Sequence, residues 1–362
     1  MGKALLFSRG TIEMPNNMRL SAIRNIFAIF LLLTLCAAAV GAGEYKPVFE
    51  NSADFPLMGD WEGKWIDPHA GHEKHNPELA AQLVCLTQKQ YLVRILPKLN
   101  VRSVPYLEVK ANVKDNMIVI DQAGWKCTFA NGTCKGTGRL HGKDVGIELK
   151  KVERLSPTLG QKPPKGAAVL FDGTSFDAWQ HNDGRKVTWS LLKSGTMQTV
   201  SLFWDNKQNQ KKGLGGDIVT KEKFDSLKFH MEFRYAVEPG KRGQGRGNSG
   251  LFFHGIGEVQ ILNCYGTPGY WNECGAFYKH EPPKRNAAAP PLQWQTYDVE
   301  IQLPDKNDKK TKALVTVYLN GHRIHYKFPM SYTGNDGVSI GLQDHINALQ
   351  YRNIWVVSHP SK

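Results

Sequence analysis

Two short stretches combine an ionisable side chain with strict in/out alternation. In Glu258-Val259-Gln260-Ile261, Val259 and Ile261 belong in a core, which turns Glu258 and Gln260 outward. In Ser339-Ile340-Gly341-Leu342-Gln343-Asp344-His345, Ile340 and Leu342 want the core, so Gly341, Gln343 and His345 share the other face. A carboxylate and an imidazole on adjacent outward rows can pass protons to and from a substrate. Histidine suits the task because its ordinary pKa lies near neutrality. The plainer alternative is a set of solvated strand residues. Asp344 faces away from His345 in a regular strand and orients the imidazole only if the strand bulges there.

Beside these lies an aromatic loop. Residues 263–283 hold Tyr265, Tyr270, Trp271, Phe277 and Tyr278 among Gly and Pro. Aromatic faces over a polar cleft suit sugar rings, which carry one apolar CH face and a rim of hydroxyls. The alternative is a loop folded over its own small cluster. Two other candidates carry less. The stretch Gly240-Lys241-Arg242-Gly243-Gln244-Gly245-Arg246-Gly247-Asn248-Ser249-Gly250 lacks the Gly-Lys-Ser/Thr ending of a phosphate cradle and reads as a loop entering a strand. His69, His72 and His75, beside Asp67 and Glu73, could ligate a divalent metal but read better as a polar solvated loop.

The elements that must position these groups are strands. In Lys228–Tyr235, residues 229, 231, 233 and 235 are apolar and His230, Glu232 and Arg234 face the other way. Tyr297, Val299 and Ile301 alternate with polar neighbours, as do Val315, Val317 and Leu319 before the hairpin signal Asn320-Gly321. Half-buried strands in this number need two sheets face to face. The expectation for residues 167–359 is an all-β sandwich of jelly-roll type. Residues 43–155 also alternate, around 82–86, 90–96, 106–113, 117–121 and 145–151, and read as a smaller, mostly antiparallel β-rich domain. Between them, Ser156–Gly166 reads as a stiff polar linker.

Composition narrows the class. A chain of 362 residues suggests about two domains, and 41% hydrophobic with 22% charged residues is ordinary globular usage, which argues against wholesale disorder. The apolar run at 26–40, preceded by Arg19 and Arg24 and ending Val40-Gly41-Ala42, reads as a signal peptide cut after Ala42. The alternative, an anchoring helix, needs about 20 apolar residues. The expectation is an exported protein, periplasmic or secreted, with no membrane span after cleavage. Cleavage removes four basic residues and one acidic, taking the net charge from +13 to +10. The remaining basic residues are dispersed and accompany no nucleic-acid motif, so no nucleic-acid partner is expected. Cys127/Cys134 and Cys264/Cys274 could be local disulfides in such a compartment or remain thiols, and Cys85 reads as a small buried hydrophobe.

Several motifs in order resemble the 3-keto-disaccharide hydrolase domain family, also described as 3-keto-glucoside lyases and 3-keto-2-hydroxy-glucal hydratases. They are Leu170-Phe171-Asp172-Gly173-Thr174, Gly247-Asn248-Ser249-Gly250, Glu258-Val259-Gln260-Ile261, Gly275-Ala276-Phe277-Tyr278, Leu319-Asn320-Gly321, Gly341-Leu342-Gln343-Asp344-His345 and Tyr351-Arg352-Asn353-Ile354. The resemblance covers roughly half the chain. It implies a concanavalin A-like jelly roll and exported enzymes acting on oxidised glycosides, di- or oligosaccharides. Jelly-roll glucanases carry Glu-x-Asp-x-x-Glu on one strand. Here the string is Glu258-Val259-Gln260-Ile261-Leu262-Asn263, so the usual second carboxylate is missing.

A 3-keto sugar removes the need for it. The C3 carbonyl acidifies the C2 hydrogen, a base takes that proton, and the C1 substituent leaves; water then adds back. The resemblance nominates Glu258 and His345 as the acid/base pair, with their order open. Asn248, Gln260 and Arg352 are candidate donors to the enolate oxygen or ring hydroxyls, with a structural ion pair as the alternative for Arg352. Trp271 and Tyr278 are candidate ring contacts. No organic cofactor is expected, and a divalent metal stays open. Competing readings are a lectin-like binding module without catalysis and a conventional glycosidase.

Overall fold

Alternation of apolar and polar side chains decides most of the architecture. In the computed structural model, residues 55–66, 78–200, 215–305 and 312–360 are described, with the backbone of Phe203–Asp205 and Gln210–Lys212. These residues belong to one unit, Pro47–Lys362. The leader with its cut site and the His69/His72/His75 cluster lie outside the described residues. No helix among the described residues is long and apolar enough to cross a membrane.

Eight antiparallel strands form the first sheet: Gly59–Ile66, Glu78–Thr87, Gln90–Leu96, Leu107–Asn112, Ile118–Gln122, Trp125–Ala130, Thr133–Leu140 and Lys143–Val152. Each pairs with the next except across the Lys114–Met117 turn, and the last pairs with the first. Trp61, Tyr91, Trp125, Phe129 and Leu149, from four of these strands, bury in a single cluster. A lone sheet can bury a whole face only by curling on itself, so this part of the chain is a small barrel.

The remainder is a jelly-roll β-sandwich. One sheet has the order Trp179–His181, Ile218–Thr220, Ile340–Leu342, Ser249–Phe253, Gly257–Ile261. The other runs Ser190–Leu192, Thr196–Gln198, Leu349–His359, Ser226–Tyr235, Gln295–Gln302, Ala313–Leu319, His322–Met330, with Ala168–Phe171 also beside Leu349–His359. The alternating residues named above meet between the sheets: Phe229, Met231, Phe233, Tyr297, Val299 and Val317 are buried with Val259, Ile261, Ile340 and Leu342. Asn320 and Gly321 both take positive φ, 52° and 75°, as the tight hairpin at that signal requires. Two phenols tie the sheets together. Tyr297 donates to the Gln260 carbonyl at 2.8 Å, and Tyr351 meets Ser249 Oγ at 2.7 Å while Ser249 donates to the Gln343 carbonyl at 2.6 Å. The second sheet therefore braces the backbone of the strands that carry Gln260 and Gln343.

One sequence reading changes in detail. The segment from Ser156 is docked rather than solvated at its start. Thr158 donates to Asp298 Oδ2 at 2.6 Å, and the Gly160 amide donates to Glu232 Oε1 at 2.6 Å. The five described cysteines, Cys85, Cys127, Cys134, Cys264 and Cys274, are all buried thiols.

The barrel grips the sandwich through Asp60, which is 1% exposed. Its carboxylate accepts from Arg154 Nε at 2.9 Å, from the Tyr265 hydroxyl at 2.8 Å and from Gln82 Nε2 at 3.3 Å. Tyr265 opens the aromatic loop, and Arg102 adds a bond to the Pro268 carbonyl at 3.2 Å. Removing one partner of a buried ion pair strands the other without solvation. Asp60→Ala is therefore expected to cost about 3–5 kcal/mol of unfolding free energy, measured by urea denaturation; a loss within about 0.5 kcal/mol, the usual range for surface substitutions, would contradict this placement.

Candidate active site

The outer face of the five-stranded sheet is built by register. Glu258 pairs with Phe252, and Phe252 pairs with Gly341. Gln260 pairs with Gly250, and the Gln343 amide donates to the Gly250 carbonyl at 3.0 Å. Because Val259, Leu251 and Ile340 are buried in the core, these partners all point the other way. The aromatic loop extends the sheet past Glu258. Val259 bridges Phe277, and the Tyr278 amide donates to the Glu258 carbonyl at 3.1 Å. Tyr278 is thus the cross-strand neighbour of Glu258 on the same face. Trp271, 48% exposed, lies beside Tyr278 with ring centres 6.1 Å apart, and Lys279 Nζ sits 5.4 Å from the Tyr278 ring centre.

Two glycines make the hollow. A Cβ on Gly250 would collide with the Glu258 carboxyl and the Phe252 ring, and a Cβ on Gly341 would lie 2.8 Å from His254 Nε2. Glu258 therefore folds over Gly250 and His254 folds over Gly341, with Phe252 between them. Burial pushes the Glu258 carboxyl up to about 7; the nearby negative charge of Asp217 adds to the rise, and the Lys279 cation opposes it. Burial pushes the His254 imidazole down, against an opposing pull from Asp217.

The structure brings some of the nominated residues together and separates others. Glu258 and Tyr278 are neighbours, with Trp271 beside Tyr278. Gln260 and Asn248 lie at the rim but are buried and tied to the protein. Asn248 Nδ2 donates to the Gln244 carbonyl at 2.8 Å, and Gln260 Nε2 donates to Gln244 Oε1 at 3.2 Å. Gln260 Oε1 is buried without a hydrogen-bond partner among the described residues. His345 is half-buried beyond the end of Ile340–Leu342. Glu258 is level with Gly341, so His345 stands four residues further on, up to about 13 Å along an extended chain. Asp344 is buried, accepting from the Gly216 amide at 3.1 Å while its own amide donates to Asp217 Oδ1 at 2.9 Å.

Arg352 requires a correction. Its neighbour Tyr351 is buried between the sheets, which sends Arg352 to the outer face of the other sheet, away from Glu258. There Arg352 Nε pairs with Glu232 at 2.6 Å and the guanidinium lies 4.1 Å from the Trp294 ring centre. It is a structural ion-pair residue. Conversely, sequence reasoning passed over His254, Asp217 and Lys279. His254 had a usable signal, being the next outward position after Gly250 and Phe252. The other two reach the face through chain turns that no local pattern announces. Among the described residues, no group of three metal-ligating side chains clusters.

The domain is a jelly-roll β-sandwich with an acid-bearing hollow on one outer sheet and aromatic rings at its edge. The family model for the 3-keto-alpha-glucoside-1,2-lyase-like domain matches residues 166–357, just over half the sequence, and the chain belongs to that family. Among solved structures, a protein provisionally named a glycosyl hydrolase, from Parabacteroides distasonis, is 32% identical over 55% of this chain and 86% of its own, with a TM-score of 0.46. A second such protein of that organism is 16% identical over 54% of this chain and 95% of its own, TM-score 0.39. A β-glucanase of Bacillus licheniformis is 15% identical over 55% of this chain and all of its own, TM-score 0.33. No curated protein matches the chain.

The Glu258 shift has a sign that can be checked. The folded carboxyl titrates near 7, above its ordinary 4.5, so the fold holds the proton more tightly than the unfolded chain does. Its favourable contribution is present below about pH 4.5 and is lost as pH rises through about 7. Glu258→Gln is expected to gain stability relative to the parent chain between pH 5 and pH 8, read from urea midpoints. Parallel pH dependence of the two proteins would contradict the shift.

Proposed function

We propose that this protein is an exported enzyme that cleaves 3-keto-glycosides, including 3-keto-disaccharides, by elimination across C1–C2 followed by hydration. The observation that carries the reading is the position of Glu258. A carboxyl titrating near neutrality projects into a glycine-floored hollow, within a domain of the 3-keto-alpha-glucoside-1,2-lyase-like family. A carboxyl with this pKa can give a proton at neutral pH and take it back.

The chemistry runs as follows. A base removes the C2 hydrogen, and the electron pair moves to the C3 oxygen as an enolate. The enolate collapses to the ketone, the C1=C2 double bond forms, and the C1–O bond breaks as the leaving oxygen is protonated. Water adds at C1, C2 regains a proton, and the sum is hydrolysis. Glu258 performs one proton transfer and an imidazole the other. The sequence motif nominates His345 for that second role. Tyr278 and Trp271 offer ring faces to the sugar, and Gln260 and Asn248 hold the loops at the rim. The Glu258 strand lacks the second carboxylate of jelly-roll glucanases, and the nearby Asp217 carboxylate is engaged by the Asp344 amide at 2.9 Å, which favours this route over a conventional glycosidase with two working carboxyls about 5–9.5 Å apart. A lectin-like module would have no use for a carboxyl so costly to ionise.

The test is turnover of a 3-keto-glucoside against its unoxidised parent. Rapid aglycone release from the oxidised substrate alone is expected, and Glu258→Gln should lower kcat by about 10²–10⁴-fold. Equal release from both substrates would instead establish a conventional glycosidase. Tight sugar binding with no release would establish a lectin.

A further inference from the structure

We propose that His254 is the base that works opposite Glu258 and removes the C2 proton, an assignment that rests on the reading above. In Ser249–Phe253, Leu251 and Phe253 are buried in the core, so Gly250, Phe252 and then His254 fall on the outer face. The pairing continues through this position, because the His254 amide donates to the Ser339 carbonyl at 2.9 Å. The ring stacks beside Phe252, with centres 6.2 Å apart and planes at 24°, and its Nε2 hangs over Gly341. Glu258 reaches over Gly250 on the other side of Phe252. Gly250 and Gly341 are diagonal neighbours on adjacent strands, about 7–8 Å apart. The two functional groups therefore flank one aromatic floor at a spacing that one sugar ring can bridge. His345 lies two residues beyond Gln343, whose amide bonds the Gly250 carbonyl, and is the competing imidazole that the experiment below separates from His254.

The charges on this face divide the roles. Asp217 stands at the start of Ile218–Thr220, Lys279 comes from the aromatic loop, and Tyr332 flanks Gly255 with its hydroxyl bonded to Gly337. Desolvation lowers the imidazole below its ordinary value, so it is neutral near pH 7, where the carboxyl, titrating at about 7, still holds its proton in about half the molecules; that fraction has the pairing of base and acid that elimination needs. His254 Nε2 takes the C2 proton and becomes imidazolium. The Glu258 proton goes to the departing C1 oxygen and leaves a carboxylate. In hydration, Glu258 takes a proton from the attacking water and the imidazolium returns one to C2, so both groups are reset.

The experiment separates the two transfers. The parent enzyme, His254→Ala, Glu258→Gln and His345→Ala are incubated with a 3-keto-glucoside in deuterated water. C2 exchange is followed by NMR beside aglycone release. Glu258→Gln should exchange C2 deuterium into unreacted substrate while releasing little aglycone. His254→Ala should lose exchange and release together by about 10²–10⁴-fold, with partial rescue by added imidazole. Gly341→Ala, whose new methyl would meet His254 Nε2 at 2.8 Å and Phe252 Cβ at 3.3 Å, should push the imidazole aside and lose exchange as well, with folding checked by its urea midpoint. His254→Ala exchanging at the parent rate, in a protein whose parent releases aglycone, overturns this assignment alone; His345→Ala losing exchange in its place does the same. A parent inert toward the 3-keto-glucoside overturns the functional reading, and this assignment with it.

Discussion

The site depends on a carboxyl group that the fold makes expensive to ionise. Glu258 sits on a strand whose alternate residues are sealed in the sandwich core, so its side chain must emerge onto the outer face. Gly250 leaves room for it to lie down against the sheet, and Phe252 and Tyr278 border it there. Water is displaced from around the carboxyl, and the Asp217 charge discourages ionisation further. A substituent on Gly250 would push the group away from the sheet, toward solvent and ordinary acidity.

Holding that geometry takes more than the sheet. Behind it, Tyr297 and Tyr351 lock the two sheets by hydrogen bonds that end on the backbone of the site strands. Beside it, the aromatic loop is fastened at both ends: Phe277 bridges Val259, and Tyr265 is bound to the buried Asp60 of the barrel. The loop before Asn248 is held by Glu238, which accepts from the Gly247 amide at 2.6 Å and from Asn347 Nδ2 at 2.9 Å, and by a bond from the Gly240 amide to the Leu86 carbonyl of the barrel. The barrel thus contacts both loops that border the hollow. That gives the barrel a structural part in the site, holding the loops that border it.

Much of this was legible in the sequence because period-two alternation is a local property. It placed Phe229, Phe233, Val259 and Ile340 in the core and Glu258 and Gln260 outside it. Where the pattern is broken, it failed. The strands Gly59–Ile66 and Thr133–Leu140 contain glycines that ordinarily weaken strands, yet a Cβ on Gly138 would strike the Trp125 indole, so the barrel interior requires the small residue. Arg352 looked like a donor because the motif around it belongs to the family. Which sheet Leu349–His359 joins, and hence which way Arg352 points, is a long-range fact. So is the docking of Thr158 on Asp298, which a Pro-rich, hydroxyl-bearing stretch does not disclose. His254 is the instructive omission: its parity matches that of Gly250 and Phe252, but it lies just past the end of Ser249–Phe253, where alternation has no further residues to show itself.

The most direct test of the account is the structure of the Glu258→Gln protein with a 3-keto-glucoside bound. The pyranose ring is expected over Phe252, with the C1 oxygen toward residue 258 and the C2 hydrogen toward the imidazole above Gly341. A sugar seated on the opposite sheet near Arg352, or bound with C1 and C2 turned away from this hollow, would contradict it.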